Sequence, residues 1–247
     1  MSMSKASMRQ YQNNILITGT NGTLGNAFKQ HYQKSHKIMG TSRSILDFNS
    51  GSNVDKFVSS LPEHVRFESV ILCAATYSFP NDYNWTWGKN AGSPWRQNNI
   101  ADRPDKRREE LNDVFDPVLY DFFMNNYKVN VISQFRFLFQ LYPKITDKII
   151  IIGSTAGLMR YSQKSFTFEH FQYKLQKSSL MMGAKCLAKF FPNLKIIILC
   201  PGNYKSNINP DGTDNIYENV SSMCNLIDNF NIENSGKIFN FNGDELG

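Results

Sequence analysis

Four stretches of this chain are apolar at almost every position: Asn14–Thr18 (NILIT), Ser69–Ala75 (SVILCAA), Lys148–Ser154 (KIIIIGS) and Leu194–Cys200 (LKIIILC). A strand with one wet face alternates apolar and polar residues. A strand apolar throughout is buried on both faces, which is the habit of parallel sheets covered by helices. The segments between them carry helix patterns at Leu24–His36, Val54–Leu61, Val118–Tyr142, Phe171–Phe191 and Asn215–Phe230. Short strands are predicted at Lys37–Thr41 and Lys237–Phe241.

Strands alternating with helices predict an α/β fold, a Rossmann-like doubly wound parallel sheet in three α/β/α layers. With 247 residues, 41% of them hydrophobic, the chain suits one large domain spanning 1–247. No apolar run is long enough to span a membrane. Met1–Asn14 is polar and lacks the apolar stretch of a secretory signal, so residues 1–13 are expected to fray. The four cysteines, Cys73, Cys186, Cys200 and Cys224, form no C-x-x-C pair. They read as free thiols of a reducing compartment, which predicts a cytoplasmic protein. The histidines show no metal-ligand spacing. The net charge of +6 comes from scattered basic residues, apart from Arg103, Lys106, Arg107 and Arg108, which Glu109 and Glu110 follow at once. That pattern is a solvated helix face; it predicts neither a nucleic-acid nor a membrane partner, and suits a polyanionic cofactor.

The turn Gly19-Thr20-Asn21-Gly22-Thr23-Leu24-Gly25 follows the first strand and opens a helix. Glycines let backbone N–H groups approach a pyrophosphate, and the helix N-terminus adds positive potential. The spacing is G-x-x-G-x-x-G, and its position at the first strand–helix junction points to a dinucleotide. The second strand then runs into Ser42 and Arg43 with no carboxylate at its end. An acidic residue there would favour NAD(H). The Arg43 guanidinium, with Ser42 beside it, suits the 2′-phosphate of NADP(H). Asp47 is placed to accept from an adenine amino group or to cap a turn.

Tyr173 and Lys177 form a Tyr-x-x-x-Lys on one face of a helix. Ahead of it a buried strand ends in Gly153-Ser154, and Asn130 lies inside the long helix before that.

Taken in order, these motifs resemble the short-chain dehydrogenase/reductase family, and more narrowly its small carbonyl-reductase-like, C-factor-like members. The resemblance runs from Asn14 to the C-terminus with one interruption. It includes Pro201, Gly202 and Ser206 after a strand end, and the tail Ser235–Gly243. It implies an oxidoreductase that moves a hydride between NADP(H) and a carbonyl or alcohol of a small molecule. Tyr173 would be the general acid, its pKa lowered by Lys177 and by the charge of the oxidised cofactor. Lys177 would also hold the nicotinamide ribose. Ser154 would hold the carbonyl oxygen, and Asn130 a water in the proton path. Cys73-Ala74-Ala75 stands where the family has Asn-Ala-Gly beside the cofactor, losing a polar side chain usually tied into the sheet.

Two further departures bear on function. The 19 residues from Ser154 to Tyr173 exceed the family's usual gap and would enlarge the wall over the substrate. The irregular stretch Thr76–Asp116, with Trp85, Trp87 and Trp95, reads as an insertion or a lid over the nicotinamide end. The glycine spacing leaves a nucleotide-sugar epimerase or dehydratase as the alternative, although only 45 residues follow Gly202. A non-catalytic NADP-binding sensor is the other alternative. Phe122, Phe123, Phe135, Phe137, Phe139, Met181 and Met182 on the two long helices predict a homodimer or homotetramer.

Overall fold

The computed structural model describes residues 14–76, 117–159, 168–206, 209 and 211–246, without the side chains of 117–119 and 168–171. The expectations for 1–13, for the 77–116 insertion with its three tryptophans, for the Arg103–Arg108 cluster and for the longer Ser154–Tyr173 connection lie outside these residues.

Six strands form one parallel sheet: β1 (Asn14–Thr18), β2 (Lys37–Thr41), β3 (Phe67–Leu72), β4 (Ile145–Ile152), β5 (Lys195–Cys200) and β6 (Ile238–Asn240). Their order is β2-β1-β3-β4-β5-β6. The apolar strands divide their side chains between two faces, as a period of two demands. Leu16, Val70, Ile149, Ile151, Ile196 and Ile198 enter one core. Ile15, Ile17, Ile71, Ile150, Ile197 and Leu199 enter the other.

Helices close both cores. On the first face lie α2 (Gly51–Ser60), α4 (Ser133–Leu141) and α5 (Phe168–Phe190), through Val54, Phe137, Leu138, Leu141, Leu180, Met181 and Leu187. On the second lie α1 (Thr23–Tyr32) and α6 (Ile216–Asp228), through Phe28, Tyr32, Val220, Met223 and Ile227. The Tyr32 hydroxyl donates to Asp228 Oδ1 at 3.0 Å and ties α1 to α6. These are the three layers expected.

The long helix expected at Val118–Tyr142 is not continuous. It is α3 (Pro117–Tyr127), a π-turn (Lys128–Ile132) and α4. Val129, Asn130 and Val131 are all buried. A π-turn carries an extra residue within the helical turn, and such turns gather at functional sites.

β3 also ends earlier than expected, at Leu72, and Cys73–Thr76 runs on as irregular chain. The chain passes from β1 outward to β2, then returns to the other side of β1 for β3. This reversal opens a crevice at the carboxyl ends of β1 and β3, where ligands sit in open α/β sheets.

Candidate active site

The glycine turn is shaped by how closely β1 approaches β3. Gly19 has φ +71, and a Cβ there would lie 2.9 Å from the Ala74 backbone. A Cβ on Gly25 would meet the Gly19 carbonyl, so α1 can start hard against the turn only with glycine at that position. Gly22 is the N-cap of α1 and offers no side-chain cap; no acidic residue stands in the first turn. The first N–H groups of α1 therefore point at the crevice without a capping oxygen, which leaves them available to an anion.

Two adjoining clefts run along the sheet's carboxyl edge. The smaller, of about 190 Å³, is lined by Gly19, Asn21 and Gly22, by Ser42, Arg43 and Asp47, and by Cys73, Ala74 and Ala75. The larger, of about 330 Å³, takes in Asn21 to Gly25, Cys73 to Thr76, Asn130, Ser154, Tyr173, Lys177, Pro201, Gly202 and Ser206. Thr20 lines neither. Its hydroxyl donates to the Thr41 carbonyl at 3.2 Å and its methyl faces Gly40, so it braces β2 rather than facing a ligand. Asp47 faces the smaller cleft while its Oδ1 accepts from Asn49 N at 2.9 Å, so it also caps a turn. Among the described residues, the buried Ser206 hydroxyl has no hydrogen-bond partner.

Tyr173, Ser154 and Lys177 come together on the larger cleft. Tyr173 and Ser154 are hydrogen-bonded through their side chains. Burial pushes the Tyr173 phenol above its ordinary value, and the Ser154 bond opposes that rise. This differs from the expected acidification. Lys177 Nζ donates to the Ile152 carbonyl at 2.8 Å and lies 5.9 Å from the centre of the Tyr173 ring, so in the free protein burial outweighs the cation. Burial also lowers Lys177 itself to about 8. The phenol is thus a protonated donor at neutral pH.

Asn130 is differently engaged from expectation. Its Oδ1 accepts from Thr76 N at 2.8 Å, and its Nδ2 donates to Thr76 O and to Gln176 Oε1, both at 2.7 Å. Both amide hydrogens are spent on the protein. The Cys73–Ala75 segment, which lacks the family's polar side chain, is held through its backbone instead. Ala74 N donates to Thr18 Oγ1 at 3.1 Å, and Gln134 Nε2 donates to Ala74 O at 2.9 Å.

Gln134, Thr76, Tyr204 and Asn209 also line the larger cleft and were not singled out from sequence. Gln134 follows Asn130 by four residues, a spacing that shares a helix face. Tyr204 follows Pro201-Gly202 directly enough to have been suspected. Its phenol is pushed up by burial first, then by the neighbouring Tyr173 and Cys73.

No family profile matches the sequence, and no curated protein matches it. Solved structures match the fold. An NADPH-bound carbonyl reductase from chicken fatty liver superposes with a TM-score of 0.68 at 18% identity, covering 95% of this chain and 94% of that one. The carbonyl reductase Sniffer of D. melanogaster gives 0.66 at 14% identity, with 96% and 99% covered. A 4-hydroxyisoleucine dehydrogenase mutant complexed with NADH and succinate gives 0.67 at 16% identity, with 92% and 96% covered. The six-stranded parallel sheet, its reversal at β1 and these superpositions show that the chain has the short-chain dehydrogenase/reductase fold.

Proposed function

We propose that the protein is an NADP(H)-dependent oxidoreductase that reduces a carbonyl group of a small molecule, with Tyr173 as proton donor. The observation that carries this reading is the Tyr173–Ser154 hydrogen bond beside Lys177, in a cleft whose other wall is the uncapped start of α1. The residues present fit a dinucleotide. Gly19 and Gly25 allow the close turn a pyrophosphate requires, and Arg43 with Ser42 faces the cleft at the end of β2. The chicken-liver carbonyl reductase is NADPH-bound, whereas the 4-hydroxyisoleucine dehydrogenase carries NADH. The fold therefore accommodates both, and Arg43 is what favours the 2′-phosphate here.

When bound, NADPH supplies the hydride. The chain's own residues do the rest. Ser154 and Tyr173 hold the carbonyl oxygen, and the phenol gives it a proton. Lys177 keeps positive charge under the phenol and within reach of a ribose hydroxyl. Cys73, whose thiol is pushed up by burial, stays neutral and forms apolar floor.

The test is NADPH oxidation against a panel of aldehydes, ketones and quinones, followed by Tyr173→Phe. Turnover should fall by about 10²–10⁴, the contribution of a positioned proton donor, while NADPH affinity stays within a few fold. Full activity in Tyr173→Phe would sink the assignment. Tight NADPH binding with no turnover on any carbonyl would favour a sensor of the cofactor.

A further inference from the structure

Tyr204 lines the larger cleft and has no part in the chemistry derived above. It stands on the loop from β5 to α6, and hydrogen bonds cross-tie that loop at its base. Asn203 N donates to Asp214 Oδ2 at 2.7 Å, and the Asn203 carbonyl accepts from Thr213 N at 2.7 Å and from Asp214 N at 3.0 Å. Asn209 Nδ2 donates to Asn203 Oδ1 at 2.8 Å and to the Tyr204 carbonyl at 3.0 Å. Asn219 Nδ2 reaches in from α6 to the Pro201 carbonyl at 2.9 Å. These bonds hold the backbone at and beside Tyr204. The side chain is therefore presented from a fixed base, and little order has to be imposed when a ligand arrives.

Packing sets which wall the ring belongs to. Tyr204 and Cys73 lie against the second core, the one closed by α1 and α6. Tyr173 and Lys177 belong to α5, which closes the first. The two tyrosines thus reach the cleft from opposite faces of the sheet, and they are the aromatic side chains among its described lining residues. Among the same residues Lys177 alone carries charge, and it stands on the Tyr173 side. No described residue hydrogen-bonds the Tyr204 phenol. Burial, with Tyr173 and Cys73 nearby, pushes that phenol up, so the ring stays neutral.

A carbonyl whose oxygen rests on Tyr173 and Ser154 takes its hydride from a ring lying against another wall of the cleft. The glycine turn and residues 73–76 offer that ring backbone and small side chains. Tyr204 offers a π face, whose negative quadrupole attracts a cation. A nicotinamide is neutral when reduced and positively charged when oxidised, so only one redox state makes this attraction. We propose that Tyr204 backs the nicotinamide ring and binds its oxidised form preferentially, making bound NADPH a stronger reductant than it would be against an aliphatic wall. The proposal rests on the cleft taking NADP(H). Lys177 opposes it, because an ammonium across the cleft repels the oxidised ring. Removing the aromatic face leaves that repulsion unbalanced. An attraction of this kind shifts an equilibrium about two- to thirtyfold.

The test is equilibrium binding to the full chain, with no turnover. NADP+ and NADPH are titrated separately into the unaltered protein, Tyr204→Leu, Tyr204→Phe and Tyr204→Trp. In Tyr204→Leu the ratio of the NADP+ to the NADPH dissociation constant should rise about tenfold, mainly through weaker NADP+ binding. For a two-electron couple that raises the bound potential by about 30 mV. Tyr204→Phe keeps the ring and loses the hydroxyl, and its ratio should stay within about twofold of the unaltered protein. Tyr204→Trp, with the stronger π face, should lower the ratio, and it supplies the reading if the leucine chain does not fold. A Tyr204→Leu protein that loses affinity for both forms alike overturns the proposal, because the side chain is then apolar packing only. So does a ratio that rises as far in Tyr204→Phe as in Tyr204→Leu, because the effect then belongs to the hydroxyl. If the unaltered protein binds both forms and reduces a carbonyl while the ratio ignores residue 204, this inference fails alone. If it binds neither form, the NADP(H) reading fails and takes the inference with it.

Discussion

Arg43 and Lys177 show two ways a single charge serves this site. Arg43 is exposed at the rim of the smaller cleft, where water competes for its guanidinium. A bidentate phosphate contact, which would desolvate the guanidinium as the cofactor binds, is worth about 1.5–3 kcal/mol, so NADPH should bind roughly ten- to a hundredfold more tightly than NADH. Arg43→Ala should remove most of that preference while leaving NADH affinity alone. Titration of both cofactors checks it, and equal affinities in the unaltered protein would contradict it. Lys177 is the opposite case, a charge taken out of water. Burial holds its folded value at about 8, below the ordinary 10.5. Below pH 8 both folded and unfolded chains carry the proton, and the full penalty of burying it is present. Between about pH 8 and 10.5 the unfolded chain binds more protons, so this group makes the protein more stable as pH rises. The gain amounts to roughly 3 kcal/mol across that window. Denaturant unfolding of the free protein and of Lys177→Met at pH 7 and pH 10 should show the stability gap between them shifting by that order. A pH-independent gap would mean the ammonium is not desolvated.

At the scale of elements, the helices and strands of the sheet were readable because periodicity is a local property. β1 and β2 fall where the apolar runs begin and end. α6 begins after Asn215, whose side chain accepts from Tyr217 N at 3.1 Å as an N-cap should. The π-turn was not readable. Its single extra residue leaves composition and helical periodicity almost unchanged, although Asn130, which bonds Thr76, lies within it. β3 ends at Leu72 because the following backbone is claimed by Thr18 and Gln134 from other elements, which no local pattern announces. Gln134→Leu tests that clasp. It leaves the Ala74 carbonyl without its partner and should cost about 1–3 kcal/mol in urea unfolding. NADPH affinity should fall with it, since Ala74 lines both clefts. Unchanged stability would show that the carbonyl is satisfied in another way.

Across the whole molecule, the apolar surface of the long helices divides in two. Phe137 and Met181, expected on an outer patch, are 0% and 2% exposed and belong to the core. Phe139 and Met182 are exposed, and they are joined by Tyr120, Met124, Ile132 and Phe190. Phe139 stands edge-on to Phe190 with ring centres 6.4 Å apart. The resemblance that places such helices against a second copy makes self-association the expectation for this surface. Light scattering at micromolar concentration should give at least a dimer, and the double substitution Phe139→Glu and Phe190→Glu should shift it toward monomer. A monomer before substitution would contradict it.

The sequence by itself determined the alternation of elements, the parallel sheet with two covered faces, and the order of motifs from the glycine turn to Tyr173 and Lys177. Those follow from periodicity, from the few residues that can occupy a close turn, and from i, i+4 spacing, all carried within short stretches of chain. Only the tertiary structure decided where the polar groups spend their hydrogen bonds. Thr20 turns to β2, Asn130 to Thr76 and Gln176, and Gln134 to Ala74 across 60 residues of sequence. It also decided that Lys177 and Tyr173 lie in a buried site where desolvation is the largest influence on each. A hydrogen bond or a desolvation energy depends on what surrounds an atom in space, and those neighbours come from segments whose distance along the chain says nothing of their meeting.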